Sequence, residues 1–383
     1  MAKSQKSSQK SPELRSIDAE LGDLREKIDE VDRELLGALN RRAALVSEVG
    51  ALKNRGDSPV YVAGRERDLV ARLVELNPGP FPSAGLPHVF REVISATRSL
   101  EEIVRVAFLG PLGTFSHEAA VKQFGGMVEL IPVHSMGDVF EVTERGESHF
   151  GVVPIENASE GVVTTSLDAL VESELAICAE LVLEIRQNLM SQSGELEAIE
   201  TVASHPQPLA QCGGWLASRL PGIPLRETSS TTAAAELAGE DGRIAAIGSE
   251  VAAEAYGLKM VETGIEDSRR NSTRFVVVGH EAPAPSGNDL TAAVFTIHRD
   301  QSGALYRLLE PFARNGVNLS SIQSRPIKGK PWEYLFFVDM EGHVTEASVQ
   351  AALDEAGSVA HSSKLLGSFP RTRQDPAPGG VAR

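Results

Sequence analysis

Three places in the 383-residue sequence combine residue types and spacings that could do chemistry. At 271–278 the chain reads NSTRFVVV. A hydroxyl, Thr273, and a fixed cation, Arg274, stand immediately before an apolar run that reads as a buried strand opening at Phe275. A hydroxyl can donate or accept a hydrogen bond, and a guanidinium can hold a carboxylate of a ligand or of the protein. At 110–116 the turn GPLGTFS follows an apolar strand and precedes a helix. Gly113, Thr114 and Ser116 therefore lie where such a turn presents N–H groups to an anion. On a long N-terminal helix, Arg42 and Lys53 are about 20° out of phase and about 16 Å apart along the axis, so their side chains can lean over one small anion. Arg25 is about 25 Å from Arg42 and reaches no shared ligand, but in an antiparallel dimer it could reach the partner's. Arg65 and Glu66 open a second helix and Glu101 ends a third. By spacing alone, such charges equally describe the solvated face of a coiled coil.

The elements that must position these residues fall into three regions. Leu14, Ile17, Leu21, Leu24, Ile28, Val31, Leu35 and Leu39 recur at intervals of three and four, a coiled-coil-like seam continued by Val46 and Val49 and stopped at Gly56 and Pro59. The helix predicted is about 60 Å long, wider than a hundred-residue domain, so it needs a partner chain. GRERDLVARLVEL (64–76) and LPHVFREVISATRSLEEI (86–103) read as two more amphipathic helices. The middle region alternates apolar strands (VRVAFLG, FGVVPI, LAICAELVLEI, TVAS, RIAAIG, RFVVVG) with helices, which is an α/β pattern. EAPAPSGND (281–289) reads as a linker, and 290–369 as a βαββαβ sandwich.

Composition narrows the chemistry. The net charge of −16 argues against a nucleic-acid partner. Residues 104–289 hold 11 Lys and Arg against 27 Asp and Glu and carry the whole imbalance, so an anion bound there must be held by local cations and backbone N–H groups. No apolar run approaches the roughly 20 residues of a membrane span, so no membrane partner is expected. The serine-rich start lacks the apolar core of a secretion signal. Cys178 and Cys212 form neither a disulfide framework nor a zinc spacing, so a reduced, cytoplasmic protein with no metal is expected.

The run LREKIDEVDRELLGALNRRAALVSEVGALK, followed by GRERD, resembles the intertwined all-helical chorismate mutase domain over about 90 residues. The resemblance implies cations at Arg25 (from the other protomer), Arg42, Lys53 and Arg65, with Glu66 on the substrate hydroxyl. It puts Glu101 at the family's Gln or Glu near the end of the third helix. Val62 departs from the family's Asp. The rearrangement of chorismate to prephenate is pericyclic, so the protein need only fold two carboxylates into place and stabilise charge on the ether oxygen. Lys53 suits that oxygen, with Glu101, when protonated, as a second donor.

VAFLGPLGTFSHEAA, VVPIENASEGVV, ASHPQPLAQC and NSTRF, in that order, resemble prephenate dehydratase, whose fold is two α/β lobes like those of periplasmic solute-binding proteins. The chain is expected to cross to the second lobe near 182 and return near 264. The resemblance makes Thr273 the hydrogen-bond donor to the departing hydroxyl and Phe275 a cleft residue. Arg274 becomes a cation for a carboxylate or a structural pair. Asn157, Ser204 and Gln211 fall on other cleft positions, and Thr231 and Thr232 act from the second lobe as Thr114 and Ser116 do from the first. Glu156, His117 and His205 read as structural. GALYRLLEPFARNGVNLSSIQSRP with WEYLFFVDMEGH resembles the phenylalanine-binding ACT domain, implying an effector site at Gly303, Ala304, Leu305, Asn318, Ser324, Arg325 and Pro326. Gln323 replaces that motif's glutamate.

The fold expected is multidomain. An all-α intertwined dimer domain (12–103) precedes a two-lobed α/β periplasmic-binding-protein-like domain (104–281) and a ferredoxin-like α+β ACT domain (290–369), with disordered tails at 1–11 and 370–383. The function expected is that of a bifunctional enzyme without cofactors, a homodimer or homotetramer. It makes prephenate from chorismate and phenylpyruvate from prephenate, and L-phenylalanine inhibits it. A non-catalytic amino-acid sensor, or a dehydratase with a degenerate mutase domain, would share much of this pattern.

Overall fold

The computed structural model describes residues 12–53, 63–268, 271–298, 302–327 and 333–372. The described chain forms two compact units, one made of the first helix with Ala96–Glu102 and the other of the rest. In the first unit, α1 (Pro12–Lys53) runs 42 residues without a break. Its seam residues Leu24, Ile28, Val31 and Leu35 are each more than half exposed.

The second unit begins with α2 (Ala63–Leu76) and most of α3 (Leu86–Arg98). α3 stops five residues before the end expected from the sequence, in a turn where Glu101 N donates to Arg98 O. Two lobes follow. The first contains β1 (Arg105–Leu109), α4 (Phe115–Phe124), β2 (Glu129–Val133), α5 (Met136–Glu144), β3 (Phe150–Asn157), β4 (Gly161–Val162), α6 (Thr164–Glu172) and β5 (Ala176–Glu184). The second contains β6 (Asn188–Ser191), β7 (Thr201–Ser204), α7 (Pro206–Gln211), α8 (Gly213–Arg219), β8 (Leu225–Glu227), α9 (Thr231–Glu240), β9 (Ile244–Gly248), α10 (Glu250–Ala255) and β10 (Lys259–Glu262). The chain then returns to the first sheet as β11 (Ser272–Gly279). The sheets run β2-β1-β3-β11-β5, with β4 on β3, and β10-β6-β9-β7-β8. The segments between Glu184 and Asn188 and between Glu262 and Ser272 thus join the lobes, and they bond to each other: Ile265 N donates to Gln187 O at 2.8 Å.

β11 begins two residues earlier than the strand RFVVVG read from the sequence, because Ser272 and Thr273 pair with Glu184 and Leu183 of β5. Thr273 also faces Asn157 across β3. β1 and β3 are parallel and β11 is antiparallel to them, so Leu109, Asn157 and Thr273 share one edge of the sheet. In the second sheet β7, β8 and β9 are parallel and end at Ser204, Glu227 and Gly248 on one edge. The two crossings connect these edges, which are the carboxyl ends where α/β proteins bind ligands.

The last domain comprises β12 (Asp289–His298), α11 (Ala304–Arg314), β13 (Leu319–Pro326), β14 (Glu333–Glu341), α12 (Ala347–Val359) and β15 (Ser362–Pro370), in sheet order β13-β14-β12-β15. It is not a bead on a linker. Leu290, Ala292, Val294, Phe337 and Phe369 share one buried core with Val153, Leu167, Ile177 and Val276 of the first lobe. Gly367, at φ +149°, permits the closest approach, since a Cβ there would overlap the Ile177 backbone. Residues 370–372, expected to belong to a disordered tail, stay bonded: Arg371 N donates to Asn288 O and Thr372 N to Glu180 Oε1. Residues 1–11 and 373–383 lie outside the described residues.

Candidate active site

Thr273 and Asn157 form the centre of the site at the first-lobe edge. Asn157 Nδ2 donates to Thr273 Oγ1 at 2.8 Å and to Asn271 Oδ1 at 3.1 Å. Thr273 is 7% exposed, so this pair sits largely out of bulk water. Strand alternation sends Arg274 to the other face. There its guanidinium lies between Glu180, at 2.9 Å, and Asp339 of β14, at 2.5 Å. Burial alone would lower the guanidinium pKa, but the two carboxylates reverse that and hold it charged. Arg274 is thus already paired within the protein. Phe275 is 2% exposed in the core with Phe108 and Phe124 rather than on the cleft surface.

Around this pair the site is built from helix starts. Thr114 caps α4: its hydroxyl accepts from His117 N at 3.2 Å and donates to Leu109 O at 3.1 Å. The remaining first-turn N–H groups of α4 have no partner within the helix and carry its partial positive charge. Ser116 is buried in that turn. His117 Nδ1 accepts from Gly113 N at 3.0 Å, and the ring stacks on Phe108. Burial lowers its pKa, against the opposing pull of Glu254. In the second lobe Ser230 caps α9, bonding Ala233 N at 3.0 Å and the buried Thr232 Oγ1 at 2.8 Å, while Thr231 is half-buried. His205 caps α7 through Gln207 N. Ser204 is fully buried and donates to Ile247 O at 2.8 Å, so its proton is directed into the core. Glu156 stands opposite Arg274 in the strand register.

Several contributors carry no motif. Gln187, between the lobes, donates from Nε2 to Gln211 Oε1 at 3.1 Å, and among the described residues its buried Oε1 is unpartnered. Beside it the buried Glu266 accepts from Gln187 N at 2.9 Å and Arg186 Nη1 at 3.1 Å. Ser249, before α10, donates to Gly113 O at 2.6 Å and so ties the second lobe to the turn before α4. Asn271 is two residues from Thr273 in the sequence, and only that adjacency could have suggested it. The rest become neighbours only through the fold. A dianion at this edge would meet chiefly neutral donors, in keeping with the acidic balance of the region.

In the first unit, Arg42 Nη1 bonds Thr97 Oγ1, and Arg25 is exposed on α1. Gly50 is buried against Glu101, where a Cβ would come within 2.8 Å of Glu101 Cγ. Lys53 ends α1, and its side chain lies outside the described residues, as does Val62. In the second unit, Arg65 is exposed and Glu66 half-buried on α2.

The chorismate mutase type II family model matches residues 24–102, the prephenate dehydratase model 106–283 and the ACT domain model 292–357. A bifunctional chorismate mutase/prephenate dehydratase from Aquifex aeolicus is 43% identical over 92% of this chain and 98% of its own. The chain belongs to the bifunctional chorismate mutase/prephenate dehydratase family. Among solved structures, prephenate dehydratase from Arthrobacter aurescens in complex with L-Phe is 36% identical, with TM-score 0.64, over 72% of this chain and 92% of that one. GqqA, a quorum quenching acylase, is 27% identical, with TM-score 0.66, over 71% of this chain and all of that one.

In the ACT domain Gly303 caps α11 at φ +76°, Ala304 begins the helix, and Leu305 is 41% exposed. Asn318, Ser324 and Pro326 are exposed. Alternation along β13 turns Arg325 the other way: it bonds Asp168 Oδ1 at 2.8 Å and Thr164 O at 2.7 Å, both on α6 of the first lobe. The structure does not bring Arg325 together with Ser324.

Proposed function

We propose that this chain rearranges chorismate to prephenate in its helical domain and converts prephenate to phenylpyruvate in the two-lobed domain. L-phenylalanine, bound by the ACT domain around Gly303, Ala304 and Leu305, inhibits the second step. Family membership supports all three parts, and the Thr273–Asn157 pair carries the dehydratase reading.

In the dehydration the bond between the ring and its carboxylate breaks and carbon dioxide leaves. The electron pair moves through the ring, which becomes aromatic, and the ring C–O bond breaks, the hydroxyl leaving as water after taking up a proton from solvent. The departing oxygen needs a donor as its charge grows, and Thr273 supplies that hydrogen bond. Aromatisation provides much of the driving force, so a hydroxyl of ordinary acidity suffices. Helix starts at α4 and α9 and the Gln211 amide support the substrate's carboxylates. In the mutase, Arg42 and Lys53 fold the two carboxylates together, and Arg25 acts on the partner's site.

The exposed seam of α1 supports a homodimer, and pairing of ACT domains would extend it to a homotetramer. Two free, buried cysteines, each with its thiol pushed up to about 12 by burial, suit a reducing cytoplasm. No helix among the described residues is long and apolar enough to cross a membrane.

The test is turnover of prephenate by Thr273→Val, which keeps the shape and removes the donor. We expect a loss of about 10²–10³ in kcat, with chorismate consumption retained. Near wild-type phenylpyruvate formation would sink the assignment.

A further inference from the structure

The Thr273 hydroxyl could act on the substrate in two opposite ways, as donor or as acceptor. Its bonding inside the protein decides between them. Asn157 Oδ1 accepts from Ser159 N at 2.9 Å, from Glu160 N at 3.0 Å and from Ser159 Oγ at 2.6 Å. The two backbone N–H groups can only donate. Turning the Asn157 amide over would set its NH2 against both of them and its carbonyl against Asn271 Oδ1, which now lies 3.1 Å from Nδ2. The amide therefore has one orientation, and its nitrogen, 2.8 Å from Thr273 Oγ1, must be the donor. Thr273 accepts from Asn157, so its own proton is left for a group outside the pair. Accepting that bond also polarises the O–H and makes it a better donor.

The Asn157 amide has no capacity left over. One N–H goes to Thr273, the other to Asn271, and three donors converge on its carbonyl. A residue so engaged acts on the substrate through its neighbour rather than by touching it. We infer that Asn157, locked by Ser159 and Asn271, is a positioning residue that fixes Thr273 as a hydrogen-bond donor to the departing oxygen of prephenate. This rests on the dehydratase reading above and assigns the direction of its central hydrogen bond.

The decisive variant is Asn157→Asp in the full chain, with Thr273→Val and Ser159→Ala alongside. The introduced carboxylate, when ionised, still accepts from the Ser159 and Glu160 N–H groups. Its other oxygen now accepts from Thr273 as well, which turns the hydroxyl proton away from the substrate. We expect kcat on prephenate to fall about 100-fold near pH 8, with KM changed less than about threefold. Relative to wild type, kcat should recover as pH falls and the new carboxylate takes up a proton, since a protonated carboxyl can donate as the amide did. Ser159→Ala loosens the lock without reversing the bond and should cost about tenfold in kcat at every pH. Near wild-type turnover of Asn157→Asp at pH 8 would overturn the inference if Thr273→Val is inactive. So would a loss that does not change with pH, because a merely structural defect predicts that. If Asn157→Asp fails to fold by its thermal midpoint, full activity of Ser159→Ala overturns it instead. Full activity of Thr273→Val would remove the dehydratase assignment itself.

Discussion

Glu118 shows how far a residue's role can lie from its local sequence. It sits in the first turn of α4, a favourable place for an acid. Its pKa is nevertheless pushed up to about 7, first by burial and then by Glu250 at the start of α10 in the other lobe, against the opposing pull of Lys122. The folded-state pKa lies above the ordinary value of 4.5, so folding takes up a proton between those values. Stability from this group is therefore fully present below about pH 4.5 and declines as pH rises toward 7. Above that the charged carboxylate costs on the order of 1–3 kcal/mol. Glu118→Gln cannot ionise. We expect its thermal midpoint to exceed wild type by a few degrees near pH 8.5 and to converge with it near pH 5. Equal midpoints at both pH values would dispose of this account. Nothing in GTFSHEAA announces such a partner, because Glu250 is 132 positions away. Thr273 and Asn157 were legible for the opposite reason, each standing inside a short recognisable motif. Ser204 was legible as a motif residue but not as a buried one, and Phe275, which opens an apolar run, was expected at the cleft but lies in the core, since the fold alone decides which way a strand residue points.

At the scale of elements, periodicity revealed what was long and continuous. The seam of α1, the second helix and the apolar strands of both lobes follow from spacing alone. What stayed hidden was short or half-polar. β2 (ELIPV) is a partly exposed edge strand containing Pro132, and β6 is four residues long and buried throughout, so neither shows alternation. β11 reaches back over Ser272 and Thr273 because β5 pairs with them, a tertiary preference that overrides their modest strand propensity. The seam of α1 makes its own prediction. Leu24, Ile28, Val31 and Leu35 are 55–62% exposed on a single helix about 63 Å long, and an apolar stripe of that length is stable in water only against another helix. Val31→Glu places a charge in its middle. Sedimentation should show the assembly dissociating to smaller species, and, on the proposed role of Arg25 in a partner's site, mutase activity should fall at least tenfold. Dehydratase turnover should persist. An unchanged sedimentation coefficient with unchanged mutase activity would rule out α1 as the pairing surface.

Over the whole molecule, the ACT domain grips the dehydratase where an effector could be felt. β12 is buried on both faces, with Ala293, Phe295 and Ile297 against the domain's own helices and Leu290, Ala292 and Val294 against a second neighbour. That second neighbour is the first lobe, and the grip centres on α6. Arg325 holds the carbonyl of Thr164 at its start and the carboxylate of Asp168 at its middle. Lys364 donates to Leu170 O at 3.1 Å, to Val171 O at 2.9 Å and to Ser173 O at its end. α6 follows β4 directly, and Gly161 of β4 pairs with Asn157 of β3. A change in the ACT sheet that drags α6 therefore acts, through a few residues, on the amide that sets the Thr273 hydroxyl. Two cleft states that differ in the position of α6 would give phenylalanine its differential affinity. Arg325→Ala cuts one end of this link and Lys364→Ala the other. Each variant should bind phenylalanine within about threefold of wild type by calorimetry, yet lose most of the inhibition of prephenate turnover, since coupling energies of about 1–3 kcal/mol are of the size one such contact supplies. Full inhibition in both variants would eliminate α6 as the route. Loss of phenylalanine binding in Arg325→Ala would place that guanidinium in the effector site and eliminate the route as well.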